Sequence, residues 1–180
     1  MIVLVGASAS GKTEVARRLL KDYGYRKVVT TTTREPRENE RDGVDYHFIT
    51  RERFEKLREQ SAFVEVTHYG GHLYGIQKKD IDRYGVVIVD PNGANALALV
   101  LDKDAFIVLI ETAEGIRERR MLRRGDSGTV TKMRLDLDRS HFRMENFTRI
   151  DRVLNNDLIS LEDLTLEIHE SYQKFLNGMT

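Results

Sequence analysis

Runs of consecutive apolar residues, without the alternation of a half-exposed strand, occur at four places along the chain. They lie at residues 2–5 (IVLV), 86–89 (VVIV) and 106–110 (FIVLI), with a weaker run at 153–154. Such runs are typical of strands in a parallel sheet that helices cover on both faces. We therefore predict a buried strand at each of these positions.

Between and after these runs, apolar residues recur with the spacing of a helix. The predicted helices cover residues 13–20, 93–101, 113–124, roughly 130–146, and 160–176. In the last of them the apolar residues fall on one face, as in a helix that packs against a core. The alternation of strands and helices predicts an α/β fold in which a parallel sheet is flanked by helices.

Residues 34–80 interrupt this alternation. The stretch is polar, aromatic and rich in turns, and it contains the pairs Asp42-Gly43 and Tyr74-Gly75. We predict a small mixed α/β insertion here, with short strands and one helix over residues 51–59.

The composition narrows the class of protein. The chain has 180 residues, 40% of them hydrophobic, which suits one domain with a sizeable core. Its 29 lysines and arginines balance 29 aspartates and glutamates, so we expect no nucleic-acid partner. The first apolar run is too short for a membrane span or a signal peptide, and the lack of cysteine fits a reducing compartment. We therefore expect a cytoplasmic protein with no membrane partner.

The segment GASASGKT at residues 6–13 matches the phosphate-binding (Walker A) loop in full and stands between a predicted strand and a predicted helix. Its residues are Gly6, Ala7, Ser8, Ala9, Ser10, Gly11, Lys12 and Thr13. The glycines let backbone N–H groups turn toward phosphate oxygens, and the following helix adds the positive end of its dipole. We expect Lys12 to reach the β- and γ-phosphates and the Thr13 hydroxyl to bind Mg²⁺. The loop therefore predicts a core of the P-loop NTPase type that binds ATP, with Mg²⁺ as cofactor.

A second candidate anion site follows in the stretch TTTTREPR, at residues 30–37. Arg34 and Arg37 flank Pro36, which fixes its own φ and stiffens the turn. Two guanidinium groups held this way can bind one phosphate through several paired N–H bonds. The alternative is a solvated surface turn whose arginines form ion pairs with Glu35, Glu38 and Glu40.

From Arg34 the chain continues as REPRENERDGVDYHF, which resembles the signature of the guanylate kinases. That signature reads Thr-Thr-Arg-x-Pro-Arg-x-Gly-Glu-x-x-Gly-x-x-Tyr-x-Phe, and the chain departs from it only where Asn39 replaces a glycine. In that family the two arginines and the tyrosine bind the phosphate of GMP. The resemblance therefore implies this task for Arg34, Arg37 and Tyr46.

The resemblance extends to the guanine pocket, through Glu65 in FVEV and Tyr74 in the pair before Ile76. A carboxylate at Glu65 can accept from guanine N1–H and the N2 amine, whereas adenine presents a lone pair at N1. Thr30 matches a hydroxyl that the family directs at guanine O6. A second hydroxyl is usual where this chain has Ile76, which cannot donate. Losing one neutral hydrogen bond costs about 1 kcal/mol, more if O6 is left buried and unpaired, and so weakens guanine selectivity roughly tenfold.

Asp90 has two interpretations. It ends a predicted strand and precedes Gly93-Ala94, as in the Asp-x-x-Gly-Ala of the family. There it can act on Mg²⁺ through a bound water, or orient the acceptor. It can also be an N-cap residue followed by a proline at the first helical position. The two roles are compatible.

The segment ERRMLRRG at residues 118–125 looks like the lid of these enzymes. Arg120 and Arg124 are four positions apart and share a helix face, and Arg134 falls where a third lid arginine is expected. Arginines placed there stabilise the charge of a phosphoryl group in transfer. We expect the other arginines of residues 117–152 on the surface. Asn156 begins an Asn-Asp pair that the family places near adenine.

Together these features predict a nucleoside monophosphate kinase that transfers the γ-phosphoryl group of ATP to GMP or dGMP, as a monomer or homodimer. The predicted divisions are an ATP-binding core at 1–33, 81–122 and 141–180, a GMP-binding part at 34–80, and a lid at 123–140. One alternative is a kinase of the same fold that acts on another nucleotide or a ribose phosphate. Another is a non-catalytic module that binds phosphopeptides in place of GMP.

Overall fold

The structure is a computed structural model that describes residues 1–38, 40–69 and 71–178. The strands are β1 (Ile2–Val5), β2 (Arg26–Lys27), β3 (Thr31–Thr32), β4 (His47–Phe48), β5 (Phe63–Tyr69), β6 (His72–Gln77), β7 (Gly85–Ile88), β8 (Phe106–Glu111) and β9 (Arg152–Asn155). The helices are α1 (Lys12–Asp22), α2 (Arg51–Glu59), α3 (Pro91–Leu101), α4 (Glu114–Arg123), α5 (Gly128–His141) and α6 (Leu161–Leu176).

The main sheet has the strand order β2-β7-β1-β8-β9, and each neighbouring pair is parallel. Its central strand, β1, is completely buried because helices lie on both faces. Ile2 and Leu4 pack with α1 and α6, while Val3 and Val5 pack with α3 on the other side. This burial explains why the IVLV run does not alternate. The predicted parallel α/β fold is confirmed.

A second sheet has the order β4-β3-β6-β5, in which β3 runs parallel to β4 and antiparallel to β6. Helix α2 covers one face, where Phe54 stacks on Phe63 and both pack against Leu73. The chain enters this sheet at Thr31, three residues earlier than the predicted start of the insertion at residue 34. The division of the chain into three functional parts stays a prediction.

One predicted helix is shorter in the structure. Helix α5 ends at His141, where the pattern had predicted a helix to residue 146, and a separate 3₁₀ turn covers Met144–Asn146. In the part of the chain that the structure describes, no helix is long and apolar enough to cross a membrane.

Candidate active site

The loop between β1 and α1 has the backbone that a phosphate-binding loop requires. Gly6 and Gly11 have φ values of 147° and 108°, which suit glycine. A Cβ atom at Gly6 would lie 2.4 Å from the Ile110 carbonyl oxygen, and one at Gly11 would lie 2.4 Å from Asn156 Nδ2. Ala9 takes φ 60°, which costs an alanine about 1 kcal/mol. The loop therefore stores strain and leaves no room for larger residues at its two glycines.

Lys12 opens α1 and folds back over the loop. Its Nζ donates to the carbonyl oxygens of Gly6 at 2.6 Å and Ala7 at 2.8 Å. Burial lowers the pKa of the Lys12 ammonium to about 8, while the Asp138 carboxylate opposes that shift. The ammonium is thus held at the rim of the loop in an environment that favours an additional negative charge beside it.

A cavity of about 380 Å³ opens beside the loop. Its lining includes six of the nine predicted ATP-site residues, Ala9, Ser10, Gly11, Lys12, Thr13 and Asn156, together with the predicted catalytic residues Arg120 and Arg124. Glu14, Ile159 and Leu161 also line it. Ile159 and Leu161 give the cavity an apolar side suited to the face of a base. Sequence patterns alone do not single out these two residues, although they follow the Asn-Asp pair closely.

Asn156 and Arg120 tie the loop to its neighbours. The buried Asn156 side chain donates through Nδ2 to the Ser10 carbonyl oxygen at 2.8 Å. Arg120 donates to the carbonyl oxygens of Ala9 at 3.3 Å and Asn156 at 3.0 Å. Both predicted residues therefore lie against the loop, and Arg120 reaches across it from α4.

The other two predicted lid arginines meet at an aspartate. Arg124 donates to Asp126 Oδ2 through Nη2 at 2.6 Å, and Arg134 donates to the same oxygen at 3.2 Å. The Arg124 and Arg134 side chains are nearly half exposed. Arg124 lines the cavity beside the loop, whereas Arg134 does not. Asp126 thus pairs with both Arg124 and Arg134, and Arg134 lies outside the lining of the cavity.

The tip of the loop is held by a buried ion pair. The Ser8 N–H donates to Asp138 Oδ2 at 2.8 Å, and Arg117 donates to the same carboxylate at 3.0 Å. The side chains of Arg117 and Asp138 are only 7% and 9% exposed. The expectation that Arg117 lies on the surface is therefore wrong. The Arg117 charge can be buried because it pairs with the carboxylate from α5 and because its Nε donates to the Thr112 carbonyl oxygen.

Arg34 is also paired. Its Nη2 lies 2.8 Å from both carboxylate oxygens of Glu40, and its guanidinium lies 5.5 Å from the centre of the Tyr46 ring. The Arg37 N–H donates to the same carboxylate at 2.8 Å, which is the main reason that the pKa of Glu40 is lowered. The exposed Arg37 guanidinium makes no ion pair within the described residues. The predicted alternative, an ion pair between arginine and glutamate, is therefore observed for Arg34. The guanidinium of Arg37 remains able to donate to another acceptor.

A second cavity, of about 280 Å³, lies on the face of the small sheet opposite α2. It is lined by Thr30, Tyr46, Glu65, Thr67, Tyr74, Ile76, Ile88, Val89 and Asp90. All the predicted acceptor-site residues except the two arginines are in this set. Thr67 is a functional candidate that the predicted set lacks.

The strand register explains how this lining assembles. Glu65 pairs opposite Ile76, and Thr67 opposite Tyr74, so all four side chains project from one face. The β5–β6 ladder is irregular between Phe63 and Glu65. This bulge lets Phe63 face α2 while Glu65, two residues later, faces the cavity.

Burial raises the pKa of the Glu65 carboxyl, and the nearby Asp90 carboxylate raises it further. The Thr67 hydroxyl opposes both, because it donates to Glu65 Oε2 at 2.8 Å. Ile76 forms the buried floor of the cavity, where it is 1% exposed and packs in the core with Val87. The cavity thus holds the Glu65 carboxylate among hydroxyl groups and above an apolar floor, with the Asp90 carboxylate also in its lining.

Comparisons with known proteins assign this arrangement to a family. A family model described as guanylate kinase matches residues 1–174. The guanylate kinase of Neisseria gonorrhoeae is 33% identical over 165 residues, which cover 87% of this chain and 80% of that protein. That of Schizosaccharomyces pombe is 40% identical over 111 residues, which cover 53% of this chain and 55% of that protein. The chain belongs to the guanylate kinase family.

A solved structure agrees on the fold. The crystal structure of guanylate kinase from Anaplasma phagocytophilum superposes with a TM-score of 0.69 at 23% identity, covering 96% of this chain and 84% of that one. The predicted resemblance to guanylate kinases is confirmed. Asn39, where the chain departs from the signature of the family, lies outside the described residues.

Asp90 is the N-cap residue that the sequence predicted, and it also lines the second cavity. It caps α3, since its Oδ1 accepts from the Gly93 N–H at 2.8 Å, and Pro91 follows at the first helical position. Its Oδ2 makes no hydrogen bond to the described residues, and the residue lines the second cavity. One carboxylate oxygen therefore stabilises the helix while the other faces the site.

The chain also offers ligands that suit Mg²⁺. Within the described residues, no three His, Cys, Asp or Glu side chains group together as a metal cage. Mg²⁺ in kinases keeps several waters and takes only one or two protein ligands beside the phosphates. The Thr13 hydroxyl at the first cavity and the Oδ2 atom of Asp90 are oxygen donors of this kind.

Proposed function

We propose that the protein transfers the γ-phosphoryl group of ATP to GMP or dGMP, giving ADP and the nucleoside diphosphate. The observation that carries the proposal is the pair of cavities in a guanylate kinase family chain. One lies beside the phosphate loop, and the other has a carboxylate at Glu65. The two cavities support one site for a donor nucleotide and another for an acceptor nucleotide.

In this proposal the phosphate loop and Lys12 bind the β- and γ-phosphates of ATP, and Asn156 with Ile159 and Leu161 borders the base. Mg²⁺ would be held by the Thr13 hydroxyl and, through a water, by Asp90, and it would supply neutralisation of the phosphate charge. Arg120 and Arg124 supply positive charge to the transferred group. Arg134 completes this set when the predicted lid over residues 123–140 closes and excludes water.

At the acceptor end, the GMP phosphate binds Arg37, whose guanidinium has no ion-pair partner among the described residues. Arg34 and the Tyr46 hydroxyl donate to the same phosphate. An ionised Glu65 accepts from guanine N1–H and the N2 amine, and the Thr30 hydroxyl is the donor for O6. Ile76 supplies no hydrogen bond there. This donor and acceptor pattern supports guanine over adenine.

We also propose a cytoplasmic enzyme that acts as a monomer or homodimer without a nucleic-acid or membrane partner. The balanced charge and the absence of cysteine from the sequence support this setting. Neither the kinase with a different acceptor nor the phosphopeptide-binding module is favoured. Tyr46 and Glu65 argue against the different acceptor, and the intact phosphate loop argues against the non-catalytic module.

The test is a coupled assay of ADP release with GMP, dGMP, AMP, CMP, UMP and IMP as acceptors. We expect GMP or dGMP to give the highest kcat/KM, with IMP next because it keeps N1–H and O6 but lacks the N2 amine. Lys12→Met should lose turnover by several orders of magnitude, whereas Lys21→Met, an exposed lysine on the same helix, should not. A preference for AMP or a pyrimidine would refute the proposal.

A further inference from the structure

The second cavity contains a hydroxyl group on β5 with no task in the proposed function. Thr67 lies two residues after Glu65 and opposite Tyr74, so its side chain shares the face of the strand that lines the cavity. Across the ladder, the position opposite Glu65 is held by the buried, apolar Ile76. The cavity therefore carries a hydroxyl beside the carboxylate and none opposite it.

The Thr67 hydroxyl is already engaged with that carboxylate. Its Oγ1 donates to Glu65 Oε2 at 2.8 Å. A hydroxyl has one proton to donate, so in this arrangement Thr67 cannot also donate to a base carbonyl such as O6. The hydroxyl oxygen keeps lone pairs with which it can still accept. Thr67 therefore acts on the base through Glu65, or as a further acceptor for an amine.

We propose that Thr67 is a positioning and specificity-determining residue for guanine: its hydroxyl fixes the Glu65 carboxylate so that the carboxylate accepts from N1–H and the N2 amine together. The proposal rests on the proposed function, because it names how that acceptor site selects its base. A carboxylate held by a neighbouring hydroxyl keeps one orientation, and pre-organised acceptors lose less freedom when the ligand binds.

The charge of Glu65 supports the same conclusion. Only an ionised carboxylate accepts two N–H bonds, whereas a protonated one donates and so matches the N1 lone pair of adenine. Burial and the Asp90 carboxylate both raise the pKa of Glu65, and the Thr67 hydroxyl lowers it. The other titratable groups lining this cavity are Tyr46, whose pKa is raised by burial, and Tyr74. Thr67 is therefore the cavity side chain that donates to the ionised form of Glu65.

The experiment compares Thr67→Val, which keeps the shape and removes the hydroxyl, with Thr67→Ser, which keeps the hydroxyl. Steady-state kinetics are measured for GMP, IMP and ATP at about pH 6 and pH 8, and unfolding curves report whether each variant is folded. We expect Thr67→Val to raise KM for GMP about tenfold at pH 8, the value of a hydrogen bond to a charged group. KM for ATP should change less than twofold.

Two further results are expected from Thr67→Val. The preference for GMP over IMP should shrink, because the second N–H acceptor is poorly placed. The KM for GMP should also rise more steeply between pH 8 and pH 6 than in the wild type, because Glu65 is protonated more readily. Thr67→Ser should restore both properties. A residue with only a structural role would shift KM for ATP and stability and leave the pH profile unchanged.

Each outcome decides a separate point. If Thr67→Val folds and its GMP kinetics and pH profile equal those of the wild type, the inference about Thr67 is wrong while the proposed function stands. If Thr67→Val is impaired and Thr67→Ser is impaired equally, the hydroxyl is not responsible, and the inference is wrong. If the wild type does not prefer GMP, the proposed function and the inference fail together.

Discussion

Replacing Lys12 by methionine should make the stability of the protein depend on pH in a defined way. Burial lowers the pKa of Lys12 from 10.5 to about 8. The folded state disfavours the charged ammonium, so the buried lysine lowers the free energy of unfolding at any pH where the unfolded chain carries that charge. This penalty is complete below pH 8 and vanishes above pH 10.5. With these values the penalty is about 3 kcal/mol near pH 7 and about 1.5 kcal/mol near pH 9.5.

Lys12→Met removes this penalty and also removes the hydrogen bonds to the Gly6 and Ala7 carbonyl oxygens. The second effect destabilises the variant by about 1 to 3 kcal/mol, so the stability at a single pH does not reveal the penalty on the charged amine. The change of the stability difference with pH does reveal it. Between pH 7 and pH 9.5 the free energy of unfolding of the wild type should gain about 2 kcal/mol relative to Lys12→Met.

Urea denaturation of both proteins at the two pH values measures this difference directly, because the titration of all other groups cancels. Lys21→Met is the matched control, since Lys21 is an exposed lysine in the last turn of the same helix. Its removal should change stability equally at both pH values. A wild-type to Lys12→Met difference that does not change with pH would refute the claim that the folded protein penalises the charged amine.

Three other substitutions test the remaining parts of the site. Arg37→Ala should raise KM for GMP at least about tenfold and leave KM for ATP within about twofold, and equal effects on both substrates would remove Arg37 from the acceptor end. Asp138→Asn should lower the free energy of unfolding by about 3 kcal/mol because it leaves Arg117 buried without a charge partner, while the exposed Asp136→Asn on the same helix should change it by less than about 0.5 kcal/mol. Ile76→Thr should bind GMP up to about tenfold more tightly, yet unfold about 1 to 3 kcal/mol more easily because its hydroxyl enters the core.

Much of the core could be predicted from the sequence because its signals are local. The IVLV run of β1 is apolar throughout because both of its faces are covered, and the structure gives the strand the predicted bounds. The loop that follows depends on glycine at Gly6 and Gly11, where a Cβ would collide with neighbouring atoms. Residue type and spacing alone carry this information, so the phosphate loop and its flanks are recognisable without a structure.

The small sheet was less predictable, because its faces depend on a bulge. Strict alternation would place Phe63 and Glu65 on the same face of β5, yet they face opposite sides. With the register known, Thr67 falls beside Glu65 and becomes a site residue. Sequence patterns identify the carboxylate by its likeness to a family motif, and they contain no comparable signal for the hydroxyl that binds it.

Arg117 shows a second limit, since nothing in its own neighbourhood predicts burial. Its partner Asp138 lies 21 positions later, on a different helix. An arginine in a charged stretch is exposed unless a tertiary partner compensates for the loss of water. That partner is visible only when α4 and α5 are placed together.

The two ends of the site hold their anion-binding donors in different ways. At the acceptor end, Glu40 accepts from Arg34 while their side chains are 19% and 15% exposed, so solvent reaches the pair. A phosphate that binds Arg34 exchanges one carboxylate for a group of higher charge, and the affinity reflects only that difference.

At the loop, Asp138 accepts from the Ser8 N–H and is fixed by Arg117 in a buried pair. Displacing it would leave a buried charge without a partner, at a cost of several kcal/mol. In the proposed function the Glu40 pair can therefore exchange with the acceptor phosphate, whereas the Asp138 pair is part of the scaffold that shapes the loop.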